Sequence, residues 1–134
     1  MAGYSQTTLA KKLGIKQGFK IRLINVPDYY LKLFTDMPEG VETLKNKAAK
    51  KNFIHYFEKE SKSLYKNLPS LKNEIAPDGI IWVSWPKKAS KVVTDITENL
   101  IREVALSIGL VDIKVCAVDE VWSGLKLVIP VKNR

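Results

Sequence analysis

Apolar and polar residues change their period along this chain, and the change separates strands from helices. From Gly18 to Pro27, the run Phe19-Lys20-Ile21-Arg22-Leu23-Ile24-Asn25-Val26 alternates and is β-branched, which predicts a strand. After Pro27, Asp28-Tyr29-Tyr30-Leu31-Lys32-Leu33-Phe34 offers a cap and closely spaced apolar residues, predicting a helix that residues 36–40 end. Val41-Glu42-Thr43-Leu44 reads as a short strand and Asn52 to Glu58, rich in aromatic and branched side chains, as a buried one. Leu64, Leu68, Leu71 and Ile75 keep helical spacing, but Pro69 predicts a kink or two short helices.

Further along, Ala76-Pro77-Asp78-Gly79 predicts a turn, and the continuous apolar run Ile80-Ile81-Trp82-Val83-Ser84-Trp85 suits a central strand covered on both faces. Asp95 and Glu98 form a capping pair for a helix whose apolar face is Ile96, Leu100, Ile101, Val104, Ala105 and Ile108, closed by Gly109. Val111 to Val118 and Leu125 to Val131 then predict an antiparallel pair, with Cys116 inside an interior strand and the segment ending in Pro130 at a sheet edge. At the other end, Thr7 to Gly14 predicts a short helix with a threonine cap and a left-handed stop at Gly14.

Alternating strands and helices favour a parallel sheet, because right-handed crossovers fold each helix back onto it. The fold class expected is therefore α/β: a Rossmann-like, mainly parallel sheet flanked by helices, with a C-terminal antiparallel strand pair. A single domain over residues 1–134 accounts for the pattern, residues 1–17 being an N-terminal helical brace.

Composition narrows the chemistry. The 134 residues are 46% hydrophobic and 27% charged, which is ordinary for a globular chain. One cysteine, Cys116, and one histidine, His55, can make neither an internal disulfide nor a tetrahedral zinc site. No secretory signal or membrane-length apolar run is present, so a reducing cytoplasm is the expected compartment. The net charge of +8 is spread through the chain, with Lys45, Lys47, Lys50, Lys51, Lys59, Lys62 and Lys66 densest in the middle. Leu9-Ala10-Lys11-Lys12-Leu13-Gly14-Ile15 resembles the start of a helix-turn-helix, but a strand stands where the recognition helix should be.

Ligands of open parallel sheets bind beyond the strand carboxyl ends. That rule gathers Asn25, Asp28 and Tyr29 after the first strand and Glu58 after the third. Trp85, Lys87, Lys88 and Ser90 follow the fourth strand, and Asp119, Glu120 and Trp122 follow the fifth. The lysine loop ahead of a helix start would suit a phosphate or carboxylate. Asp119 and Glu120, adjacent on a strand end, diverge and make a poor acid–base pair. His55, flanked by Phe53 and Phe57, is expected to be packed and hydrogen-bonded, and Cys116 to act as a small hydrophobe; no catalytic residue, metal or cofactor is assigned. Of the tryptophans, Trp82 belongs to the core, whereas Trp85 and Trp122 could stack a base.

The order of elements resembles the second half of a class I methyltransferase domain, in truncated form. That resemblance implies a glycine-rich turn after the first strand and an acidic residue after the second that holds ribose hydroxyls. Here the turn is Asn25-Val26-Pro27-Asp28-Tyr29-Tyr30, without glycine, and Glu42 is the one acidic candidate. Three stretches are similar to the bacterial domain of unknown function 3052 family: Gly3-Tyr4-Ser5 with Leu9 to Gly14, Trp82 to Ser90, and Val115 to Glu120 continuing through Trp122 to Lys126. Lys91 departs from that pattern, where glycine is expected, and the family name implies no activity. The function expected is a non-catalytic or regulatory binding domain on a degenerate methyltransferase-like scaffold, holding an anionic small molecule or a protein partner. A nucleic-acid-binding protein and an atypical S-adenosylmethionine-dependent transferase are the alternatives.

Overall fold

A computed structural model describes residues 7–134, so Gly3, Tyr4 and Ser5 lie outside the described residues. Its strands are β1 (Lys20–Ile24), β2 (Glu42–Thr43), β3 (Lys51–Phe57), β4 (Ile75–Pro86), β5 (Val111–Ala117) and β6 (Trp122–Val128). Its helices are α1 (Leu9–Leu13), α2 (Ser61–Lys72) and α3 (Glu98–Ser107). The strands form one sheet in the order β2-β1-β3-β4-β6-β5. β1 to β4 run parallel, and β6 lies antiparallel to both β4 and β5. This is the Rossmann-like sheet with a C-terminal antiparallel pair that the pattern predicts. Among the described residues, no helix is long and apolar enough to cross a membrane.

β3 and β4 are buried on both faces, as continuous apolar strands require. On one face, Leu64, Leu68 and Leu71 of α2 and Ile101, Val104 and Ala105 of α3 pack on Ile54, Tyr56, Ile81, Val83, Leu125 and Leu127. On the other, Leu13 and Ile15 pack on Ile21, Phe53 and Trp82. A five-residue helix is too short to hold itself together. α1 is pinned instead by the Trp82 indole, whose Nε1 donates to the Leu13 carbonyl at 2.7 Å, and it ends on Gly14 at φ 85°. The Thr8 side chain makes no capping bond.

His55 is fully buried on this second face. Its Nδ1 lies 2.8 Å from the Tyr30 hydroxyl and its Nε2 lies 2.7 Å from Ser84 Oγ, while its ring stacks on Phe57 with centroids 4.3 Å apart. Both nitrogens of a neutral imidazole, one donor and one acceptor, are thereby satisfied.

Several local expectations are corrected. Residues 28–34 form only a 3-10 turn, Tyr30–Leu33, because Tyr30 is drawn into the core and the segment is too short to propagate a helix. α2 runs unbroken through Pro69, held by its three buried leucines. The predicted turn at residues 76–79 is an outsize bulge within β4: four residues stand against Asn52, between the pairs Lys51–Ile75 and Phe53–Ile80. Asp95 accepts from Ser61 N and Ser61 Oγ at the start of α2, at 2.7 and 2.6 Å, and Thr97 caps α3 through Leu100 N. β5, carrying Cys116, is the edge strand, and the last strand, β6, is internal, because the hairpin folds β6 back between β5 and β4.

Two predictions follow from this core. The unfolded chain protonates His55 near pH 6.5, whereas burial lowers the folded pKa to about 3. The stability contributed by the neutral imidazole is therefore full above about pH 6.5 and is lost as pH falls toward 3, by up to about 1.4 kcal/mol per pH unit. Urea midpoints between pH 7 and 5 should fall more steeply for the wild type than for His55→Gln; parallel slopes would refute the assignment. At Gly79, a Cβ would lie 2.8 Å from Ile75 Cβ and 3.0 Å from both the Ala76 and Lys51 carbonyl oxygens, two of these being rigid backbone. Gly79→Ala should cost about 1–3 kcal/mol, read as a lower thermal midpoint.

Candidate functional site

β2 lies on one side of β1 and β3 on the other, so the direction of winding reverses between β1 and β3. In open α/β sheets such a switch point, at the strand carboxyl ends, is where ligands settle. Asn25 leaves β1 there with φ 57°, in the left-handed region that asparagine tolerates better than most residues. Its Nδ2 donates to the Phe57 carbonyl at 3.2 Å, joining the end of β1 to the end of β3.

A cleft of about 250 Å³ opens at this point, lined by Asn25, Pro27, Phe57, Glu58, Lys59 and Trp122. Phe57 and Trp122 meet edge to face, with centroids 4.9 Å apart. The Glu58 carboxylate is held at the rim: Oε1 accepts from the Tyr56 hydroxyl at 2.7 Å, and Oε2 accepts from Lys59 N and Glu60 N at 3.0 and 3.2 Å. Burial, and then the hydrogen bond to Glu58, raise the Tyr56 phenol well above its ordinary pKa, so it stays a donor.

Across the mouth, the Tyr29 hydroxyl donates to Asp119 Oδ2 at 2.7 Å. Asp119 Oδ1 accepts from Val121 N and Trp122 N, each at 2.8 Å, so one carboxylate closes the β5–β6 turn, seats Trp122 and tethers the loop after β1. Burial and then Asp119 raise the Tyr29 phenol above its ordinary pKa.

A second cleft, of about 200 Å³, shares Asn25 and reaches Arg22, Lys47, Asn67, Ser70 and Glu74. Arg22 Nη1 donates to both Glu74 oxygens, at 2.5 and 2.6 Å, and the fully buried Lys51 donates to Glu74 Oε1 at 2.9 Å and to the Asn46 carbonyl. Burial pushes the Glu74 carboxyl up, but the hydrogen bonds and charges of Arg22 and Lys51 prevail and hold it below the usual range. Arg22, Lys51 and Glu74 satisfy one another as an ion cluster that forms one wall of this cleft.

The structure brings together Asn25, Tyr29, Asp119 and Trp122 from the sequence-derived set, with Glu58. Asp28 and Glu120 are exposed and stand outside both clefts. Trp85 is a core residue, 9% exposed, packed with Ile96 and α3. The lysine loop is not followed by a helix start: Lys88–Ser90 is a 3-10 turn, Lys91 has φ 62°, and α3 begins only at Glu98. Ser90 Oγ is occupied locally, donating to the Lys87 carbonyl at 2.6 Å and accepting from Val92 N. Glu42 pairs with Lys20 at the start of β1, the wrong end of the sheet for a ribose contact. Lys51 is buried rather than part of a basic surface. Phe57, Lys59 and Arg22 are not among the site residues that the sequence suggests; the charged Arg22 inside an apolar, alternating strand is the available signal.

No family model matches this chain, and no curated protein matches it in sequence. Solved structures do match. A S-adenosylmethionine-dependent methyltransferase from Aquifex aeolicus aligns with TM-score 0.63 at 16% identity, covering 89% of this chain and 86% of that one. Magnesium protoporphyrin IX methyltransferase from Synechocystis PCC 6803, with bound S-adenosylmethionine, aligns with TM-score 0.58 at 8% identity over 90% and 74%. The ribosomal protein L11 methylase from Lactobacillus delbrueckii subsp. bulgaricus aligns with TM-score 0.57 at 11% identity over 89% and 73%. At such identities the likeness establishes the fold. The repeated match to methyltransferases, covering 73–86% of those three chains, also overturns the expectation of a non-catalytic binding or regulatory domain as the main reading. The chain has a methyltransferase-like fold.

Proposed function

We propose that this protein is an atypical S-adenosylmethionine-dependent transferase whose ligand occupies the cleft between the ends of β1 and β3. The observation that carries the reading is the position of that cleft, at the topological switch point of a sheet shared with S-adenosylmethionine-dependent methyltransferases. When bound, the group would supply a methyl on a sulfonium for transfer to a nucleophile.

The residues present fit one part of that group better than the other. Asn25 gives the left-handed turn that a glycine supplies elsewhere, so a missing glycine does not close the approach. A cationic sulfonium would be met by the Glu58 carboxylate and by the Trp122 ring, which Phe57 backs edge to face. Asp119 and Tyr29 would position Trp122 and restrain the loop that covers the cleft. The ribose end has no carboxylate from β2. Its hydroxyls would turn to the amides of Asn25 and Asn67 and the hydroxyl of Ser70 in the adjoining cleft. Neutral partners in place of a charged one make weaker hydrogen bonds, so modest affinity is part of the reading. Membership of the domain of unknown function 3052 family belongs to the same reading, since two of its three stretches, Trp82 to Ser90 and Val115 to Lys126, flank this edge.

Calorimetry and thermal shift with S-adenosylmethionine and S-adenosylhomocysteine test the proposal. A ligand present at about a hundred times its dissociation constant stabilises the native state by about 2.7 kcal/mol. Trp122→Ala and Glu58→Gln should each weaken binding at least about tenfold, corresponding to about 1.4 kcal/mol. The absence of both binding heat and a midpoint shift at millimolar ligand would overturn the reading.

A further inference from the structure

The face of the sheet that carries α1 holds a group of lysines. Lys114 of β5 and Lys126 of β6 are direct register partners, and like charges placed opposite each other repel. The Lys126 ammonium reaches the turn after α1, where a Cβ at Gly14 would lie 3.8 Å from it, and Lys12 and Lys16 flank that turn. Lys87 follows the end of β4, and its charge, with those of Lys12 and Lys114, opposes the rise that burial imposes on the Cys116 thiol pKa. Burial and then the charges of Lys114 and Lys16 lower the Lys126 pKa. Among the described residues none of these five lysines forms an ion pair, and residues 1–6 contain no Asp or Glu that could supply one.

A β-bulge keeps this face cationic. Asp112 pairs with Leu127 and Lys114 with Lys126, so Ile113 is the extra residue. In an unbulged strand of the same sequence, Asp112 and Lys114 would share a face, since side chains two apart on a regular strand point the same way. The bulge instead sends Asp112 to the opposite face, where its Oδ2 accepts from Arg102 Nε of α3 at 2.9 Å. Re-aiming a side chain is a common use of bulges. Here it removes the carboxylate that would have neutralised the lysines.

We propose that this lysine ledge, formed by Lys12, Lys16, Lys87, Lys114 and Lys126, binds the phosphate backbone of a nucleic acid. Charge complementarity supports it: five cations, none of them in an ion pair among the described residues, on a chain whose net charge is +8. A membrane surface fits less well, because insertion needs a broad apolar face beside the cations; of the exposed apolar residues of β5, Ile113 adjoins Lys114, but Val115 pairs with Leu125 on the opposite face. The ledge differs from the lysine-rich middle segment that the sequence suggested, and it stands independently of the transferase reading.

Fluorescence anisotropy with labelled RNA and duplex DNA oligonucleotides tests it. Neutralising about four phosphates gives a log–log salt slope near −3.6, so affinity should fall about a hundredfold between about 50 and 200 mM salt. Lys114→Glu/Lys126→Glu should weaken binding by at least about tenfold, and Lys114→Gln/Lys126→Gln by less, with unchanged circular dichroism. Lys62→Glu/Lys66→Glu, the same charge change on the exposed side of α2, should leave affinity within about threefold. No binding at the lower salt, equal losses from the two glutamate pairs, or tighter binding to anionic phospholipid vesicles that the ledge variants abolish would each overturn the proposal. S-adenosylmethionine binding should persist in the ledge variants, which separates this test from that of the cleft.

Discussion

The hydrogen-bonded imidazole of His55 is the interaction on which the site geometry rests. It links β3 to β4 through Ser84 and to the turn after β1 through Tyr30, all inside the sheet's covered face. Burial keeps it neutral, and a neutral ring can be donor on one side and acceptor on the other. Fixing Tyr30 fixes its neighbour Tyr29, whose hydroxyl meets Asp119; Asp119 then seats Trp122 over the cleft. The candidate site is thus the outer end of a chain of contacts that begins at a buried histidine, and its shape depends on core packing as much as on the loops that line it.

Beside the apolar core of the opposite face, the stretch next to β1 is organised by charge. Glu74, at the end of α2, is shared by Arg22 of β1 and the buried Lys51 of β3. Such a cluster adds little net stability over an apolar alternative, yet losing one member would leave an uncompensated charge in the interior. It fixes the segment between β2 and β3, through the Lys51 bond to Asn46, where no helix covers β1. That uncovered stretch is why a second cleft exists beside the switch point.

The bulge at Ile113 shows how one inserted residue changes a surface. β5 is an edge strand, where an unpaired row of backbone groups invites association with another chain. The bulge and its lysines blunt that edge, and they also gather the cations on one face. The charge of +8 alone says nothing about this, since the same lysines with a regular strand would have had Asp112 among them.

The sequence by itself determined the fold class and most of the elements, because periodicity and turn residues act locally. The alternation in β1, the leucine spacing of α2, the apolar run of β4 and the glycine stops of α1 and α3 are each read from a few neighbours. It also located Asn25, Tyr29, Asp119 and Trp122 near one edge, since parallel strands bring their carboxyl ends together. Tertiary structure alone decided the rest. That Trp85 faces the core, that the Lys87–Lys88 loop precedes no helix, that β6 inserts between β4 and β5, and that Lys51 is buried against Glu74 all depend on partners far away in sequence. Whether the missing glycine mattered was such a question too: a left-handed turn can be made by asparagine when a distant carbonyl, here that of Phe57, holds its side chain.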